Sequence, residues 1–155
     1  MFLEGEIRYY YMGTEMRHQR HWELEPQTAG LGLARLAPDR FLALEAGEAA
    51  AELLTVSFVP EGGQVFVNAA TAKEGWTKVE LLDDQGQPLP GYLEQDCIPV
   101  TGDSAAHRVR WRQRETAPLG RRLRVRLRAR NAQVFSLFFI DEEEQPVYYR
   151  FKGIG

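Results

Sequence analysis

A single cysteine, Cys97, stands among 155 residues, so no internal disulfide and no multi-cysteine metal site can form. The role expected of Cys97 is that of a small buried hydrophobe. Long apolar runs are missing too. The longest stretch, Val134-Phe135-Ser136-Leu137-Phe138-Phe139-Ile140, falls far short of the roughly 20 residues a membrane helix needs. Charge of one sign is in equally short supply. A net charge of −3 gives no general attraction to nucleic acid or to an anionic membrane, and neither is expected as a partner. Met1-Phe2-Leu3-Glu4-Gly5-Glu6 lacks the basic start and apolar stretch of a signal peptide.

Catalytic signatures are scarce as well. No nucleophile elbow, phosphate-cradling glycine loop or dinucleotide fingerprint occurs. His18 and His21 lie three apart, a spacing that sets two metal ligands on one helical face. Their surroundings, residues 17–30, are polar and proline-bearing and read as loop, and no third ligand declares itself. His107 stands alone. Without reactive groups that converge, the chain is not expected to be an enzyme.

What is present is strand pattern. Apolar residues make up 44% and charged residues 26%, the balance of a chain that buries a core rather than a disordered one. In Leu123-Arg124-Val125-Arg126-Leu127-Arg128-Ala129-Arg130 every odd position is apolar and every even one is arginine. Side chains alternate faces along a strand, so one face enters the core and the other carries four guanidinium groups. Further strands are expected at residues 6–12, 31–36, 41–44, 53–59, 64–69, 76–82, 108–112, 134–140 and 147–152, with turns between them such as Asp83-Asp84-Gln85-Gly86 and Arg130-Asn131-Ala132. Residues 46–54, rich in alanine and glutamate, read as a loop entering a strand. About ten short strands predict an all-β, two-sheet antiparallel sandwich, jelly-roll-like, in one domain. Tyr9, Tyr10 and Tyr11 occupy both faces of their strand, which suggests burial between other elements.

The arginine ladder admits two readings. As guanidinium forks it suits a sulfated or carboxylated polymer. As a solvent face it pairs with acids on neighbouring strands, for which Glu80, Asp83, Asp84 and residues 141–144 are the candidates. The acidic overall balance favours pairing. Among the aromatics, Trp22, Trp76, Trp111 and Tyr92 are candidates for stacking on a sugar ring. Alternation sets Trp111 opposite Arg110 and Arg112 and so toward the core, whereas Trp76 shares a face with Lys78 and Glu80. Tyr92 lies in Pro88-Leu89-Pro90-Gly91-Tyr92, bounded by proline and glycine.

Several blocks, taken in order, carry a resemblance: Gly32-Leu33-Ala34-Arg35-Leu36-Ala37-Pro38-Asp39-Arg40-Phe41, Val67-Asn68-Ala69, Leu81-Leu82-Asp83-Asp84-Gln85-Gly86-Gln87-Pro88, Asp96-Cys97-Ile98-Pro99-Val100-Thr101-Gly102-Asp103-Ser104, Val109-Arg110-Trp111 and residues 127–136. Together they resemble the C-terminal β-sandwich that follows a five-bladed propeller in predicted bacterial glycoside hydrolases related to the sucrose- and arabinan-cleaving families. The similarity covers roughly residues 30–139, with residues 1–29 similar to the strand that closes the propeller's last blade.

In that family the propeller holds the catalytic carboxylates, so the resemblance implies no catalytic residue here and a non-catalytic accessory role. It implies a polysaccharide or glycan as ligand, a glycoside hydrolase domain as partner and an extracellular or surface location. The binding residues expected are Trp76, Tyr92 and Trp111 for stacking, with Asn68, Asp96 and Asp103 as polar neighbours. No cofactor is expected. Asp96 and Asp103 with backbone carbonyls are one conceivable calcium loop, though the favoured role for them is to hydrogen-bond the backbone of a long turn. The competing expectation is a structural, self-assembling protein. Its terminal strands, the tyrosine-rich start and Tyr148-Tyr149-Arg150-Phe151-Lys152, would add to a neighbour's sheet.

Overall fold

The computed structural model describes residues 2–3, 5–14 and 29–141. His18, His21, Trp22 and the strand expected at 147–152 lie outside them. Among the described residues every regular element is a strand: β1 (Phe2–Leu3), β2 (Glu6–Thr14), β3 (Ala29–Leu36), β4 (Leu44–Ala46), β5 (Ala51–Leu54), β6 (Gln64–Asp83), β7 (Asp103–Arg108) and β8 (Leu123–Ile140). All pairings between these strands are antiparallel. One sheet has the order β1-β2-β3; the other runs β4-β8-β6-β7, with β5 also paired to β8.

Among the described residues the strands number eight, counting the unexpected β1, and two expected turns do not end their strands. Residues 64–69 and 76–82 belong to the single 20-residue β6, and 123–130 and 134–140 to the 18-residue β8. The pairing slips between Thr71↔Ala132 and Trp76↔Arg130, so residues 72–75 bulge out opposite Asn131 alone. Asn131 adopts a φ of 45°, a left-handed conformation that asparagine tolerates better than most residues. Gly75 approaches it so closely that a Cβ there would lie 2.2 Å from the Asn131 carbonyl oxygen. A bulge of this kind bends the strand and increases its twist without ending the ladder. Smaller differences follow the same logic. Of residues 41–44 only Leu44 is strand, as the first residue of β4; residues 46–54 span the end of β4 and all of β5, and β7 occupies 103–108 instead of 108–112.

Along the first half of β8 burial alternates as expected. Leu123, Val125, Leu127 and Ala129 are buried on one face of β8. They oppose Asp83, Leu81, Val79 and Thr77 in turn. Beyond Asn131 the inward phase shifts to Ala132 and Val134. One apolar cluster draws on both halves, joining Val65, Val67 and Ala69 to Val79, Leu81 and Leu127, with Cys97, Val100, Val109 and Trp111 from the connecting segments. Burying each such Val or Leu side chain contributes about 1.5–3 kcal/mol.

The three-stranded sheet supplies no residue to this cluster. β2 and β3 run in continuous register from Ile7↔Leu36 to Thr14↔Ala29. Ile7 is buried, but Tyr9, Tyr10 and Tyr11 are exposed, as are Met12, Leu31 and Leu33. The burial expected of the tyrosines is therefore overturned: Tyr9 is 44%, Tyr10 60% and Tyr11 58% exposed, and Tyr9 meets Phe41 edge to face at 5.8 Å.

Candidate functional site

The outward face of β6 and β8 brings Trp76 and the arginine ladder together. Trp76 pairs across the sheet with Arg130, Lys78 with Arg128, and Glu80 with Arg126. Trp76 is half-buried, and the Lys78 ammonium sits 5.3 Å from the centre of its ring. Directly opposed residues stand about 4.5–5.5 Å apart at Cβ, so Arg130, which is exposed, flanks the indole from the neighbouring strand.

Further along, the ladder is neutralised. Arg126 reaches Glu80 at 2.7 Å and Glu52 at 3.4 Å. Arg128 reaches Glu94 at 2.8 Å, which together with the field of its acidic neighbours raises the Arg128 pKa. Arg124 donates to the Asp84 carbonyl, and Arg122 pairs with the Asp84 carboxylate at 3.5 Å. The Asp84 carboxyl is lowered chiefly by the Ser57 hydroxyl, with Arg122 and Arg124 assisting. Glu80 and Asp84 were legible partners. Glu52 and Glu94 were not, because nothing in the sequence places β5 beside β8 or residue 94 beside residue 128.

Of the other expected site residues, Tyr92 and Trp111 meet each other. Their rings pack edge to face at 5.1 Å. The Tyr92 hydroxyl donates to the Thr116 carbonyl, and the Trp111 indole N–H donates to the Val79 carbonyl at 2.9 Å. Trp111 is 2% exposed, so its ring offers no open face for stacking. It joins the core, as alternation indicated.

Asn68 and Asp103 meet through Arg40. Asn68 is fully buried; its amide donates to the Pro38 carbonyl at 2.8 Å and its Oδ1 accepts from Arg40 Nε at 3.0 Å. Arg40 then reaches Asp103 and lies over the Phe135 ring at 4.6 Å. The turn that presents Arg40 passes through Asp39, whose φ is 56°. These contacts dock the loop after β3 onto β6, β7 and β8, so Asn68 holds a loop in place. Asp96 is not drawn into the cluster. Its backbone carbonyl accepts from Arg112, and among the described residues no three His, Cys, Asp or Glu side chains gather as a metal site.

Cys97 is buried, and burial pushes its thiol up to about 11.

No sequence pattern announces the open depression of about 420 Å³ at the bend, whose lining includes Ala70, Thr71, Ala72, Asn131, Ala132 and Gln133. Another, of about 370 Å³, lies between residues 98–101 and His107, Arg108 and Arg110. Backbone bonds Ile98 N–H to Arg110 O and Val100 N–H to Thr77 O create it by pinning the 98–101 segment, and sequence pattern carries no sign of such pairing between a loop and a strand.

Compared with protein-family models, with curated proteins and with solved structures, the chain matches none.

Proposed function

We propose that this chain is a non-catalytic accessory module that binds a polysaccharide and supports a glycoside hydrolase, its bent five-stranded sheet serving as the two leaves of a jelly-roll-like sandwich. The observation that carries the reading is the setting of Trp76. Its indole lies on the outward face of β6, with Lys78 over the ring and Arg130 beside it. The apolar face of a pyranose stacks on such a ring while flanking donors take its hydroxyls. A sugar must displace Lys78 from the ring, and an exposed cation–π contact is worth only about 0.5–1 kcal/mol. The resemblance of residues 30–139 to propeller-associated sandwiches points the same way.

The test is a titration of the purified chain against neutral and acidic soluble polysaccharides, followed by tryptophan fluorescence. Saturable quenching by one glycan class, lost in Trp76→Ala while the unfolding midpoint is kept, is the expected result. Unchanged binding in the variant sinks the role of Trp76, and no binding to any glycan sinks the reading.

A second reading, self-association, is favoured by the β2–β3 ribbon, where Tyr10, Tyr11, Met12, Leu31 and Leu33 are all exposed and β3 is the edge strand of its sheet among the described residues. Edges of this kind accept an added strand. A monomer mass by light scattering at high concentration rules it out.

A further inference from the structure

We infer that the depression between residues 98–101 and the end of β7 is an oxyanion site, taking the carboxylate or sulfate ester of a small organic anion. It stands apart from the Trp76 platform and involves different residues. Its lining is Ile98, Pro99, Val100, Thr101, His107, Arg108 and Arg110. Arg108 and Arg110 line it together with His107, whose Nε2 lies 3.2 Å from the Ala69 carbonyl oxygen, and no acidic residue is among the lining. Asp103, whose pKa feels His107, is tied to Arg40.

Arg108 and Arg110 differ from the ladder on β8. Arg122, Arg126 and Arg128 each have a carboxylate partner, whereas among the described residues neither Arg108 nor Arg110 has one. The buried Nε of Arg108 has no hydrogen-bond acceptor, a state it shares with Arg126 Nε on β8. An oxyanion between Arg108 and Arg110 would meet their terminal N–H groups, since guanidinium forks match the geometry of carboxylate and sulfate oxygens.

The opposite wall decides the rest of the ligand. Ile98 is half exposed and Pro99 is exposed, giving an apolar surface against which a carbon skeleton can lie. A volume of about 370 Å³ falls at the lower end of the range for small-molecule sites, about 300–1,000 Å³. The Thr101 hydroxyl at the rim is a further donor. The site is thus sized for one sugar-like acid rather than for a bare ion.

The test is a two-dimensional amide NMR titration of the full chain with glucuronate, with glucose 6-sulfate and with glucose. Binding of either anion, with saturable shifts concentrated at Thr101, His107, Arg108 and Arg110, supports the site, and the tighter of the two names the oxyanion. Arg110→Gln, whose side chain is exposed and whose backbone bond to Ile98 is kept, should weaken binding about tenfold, the scale of one lost charge-assisted hydrogen bond. Arg108→Gln should do at least as much, with the unaltered remainder of the spectrum reporting an intact fold. Trp76→Ala should leave these shifts unchanged. The proposal is overturned if neither anion shifts these residues, if glucose shifts them as strongly, or if Arg110→Gln binds as tightly as the parent.

Discussion

The Arg40 guanidinium donates to the Asp103 carboxylate at 2.5 Å, joining residues 63 apart and fastening the loop after β3 to the first residue of β7. The two partners are unequally placed: the Arg40 side chain is 15% exposed and that of Asp103 68%. Arg40 also serves buried Asn68, so the pair is anchored from the arginine side.

That inequality predicts unequal mutants. Arg40→Ala leaves the buried Asn68 Oδ1 without its donor, which costs about 1–3 kcal/mol. Asp103→Asn removes one half of a solvent-exposed pair and should cost under about 1 kcal/mol. Urea unfolding of both variants checks this, and equal losses would refute the anchoring role of Asn68.

A pH dependence follows from the same pair. The hydrogen bond from Arg40, assisted by the fields of Arg40 and His107, holds the Asp103 carboxyl below the usual carboxylate range. A lowered folded-state pKa means the stabilisation is present above the unfolded value, roughly pH 4, and disappears as pH falls through the lower folded value. The stability difference between the parent and Asp103→Asn should therefore be fully present at neutral pH and vanish in strong acid. A difference that stays constant with pH would contradict it.

Cys97 gives an unfolding reporter. Burial raises its thiol to about 11, so at pH 8 it should be scarcely ionised and shielded from a disulfide reagent in the native protein. Labelling should become rapid in denaturing urea, where the thiol returns to about 8.5. A native labelling rate equal to that in urea would show the thiol to be open.

The bend supplies another prediction. Gly75→Ala places a Cβ 2.2 Å from the Asn131 carbonyl oxygen and 3.0 Å from that of Arg130, both backbone atoms that cannot swing aside. The expected loss is about 1–3 kcal/mol, the usual scale of overpacking. Asn131→Gly should be tolerated and Asn131→Val should not, because a β-branched residue resists positive φ. Thermal melts of the three variants test the assignment.

Trp111 and Trp76 should respond in opposite ways. Trp111→Phe keeps most of the ring volume but strips the buried Val79 carbonyl of its indole donor, at a cost of about 1–3 kcal/mol. Trp76→Ala, on the outward face, should change stability by less. Denaturant midpoints of the two decide it.

How far the sequence revealed all this varied by element. The inward run Leu123, Val125, Leu127 and Ala129 was plain, because alternation is a local property and needs no knowledge of neighbours. It also set Trp111 toward the core and Trp76 outward. The continuity of β6 and β8 was hidden, since Lys73-Glu74-Gly75 and Arg130-Asn131-Ala132 look like turns and become a bulge only when they face each other. Tyr9 to Tyr11 misled for a related reason: two apolar faces mean burial only if something covers them. Asn68 and Asp103 were picked out together, yet the side chain that joins them, Arg40, lies in a loop whose docking no periodicity reports. The Arg108 and Arg110 depression was invisible because it depends on where residues 98–101 come to rest.

The unbroken passage of β6 and β8 through the bend has a consequence for the order of assembly. β8 is the partner of β4, β5 and β6 alike, and its pairs with β6 join residues from 40 to 76 positions apart, as in Asp83↔Leu123 and Gln64↔Ile140. During synthesis, at about 5–20 residues per second, β4, β5 and β6 wait with their apolar faces open until β8 has emerged. Neither half of the core can close early and template the other. With such distant pairings folding should be slow, on the millisecond-to-second scale of β-topologies, and the protein is most vulnerable to aggregation in the interval before β8 arrives.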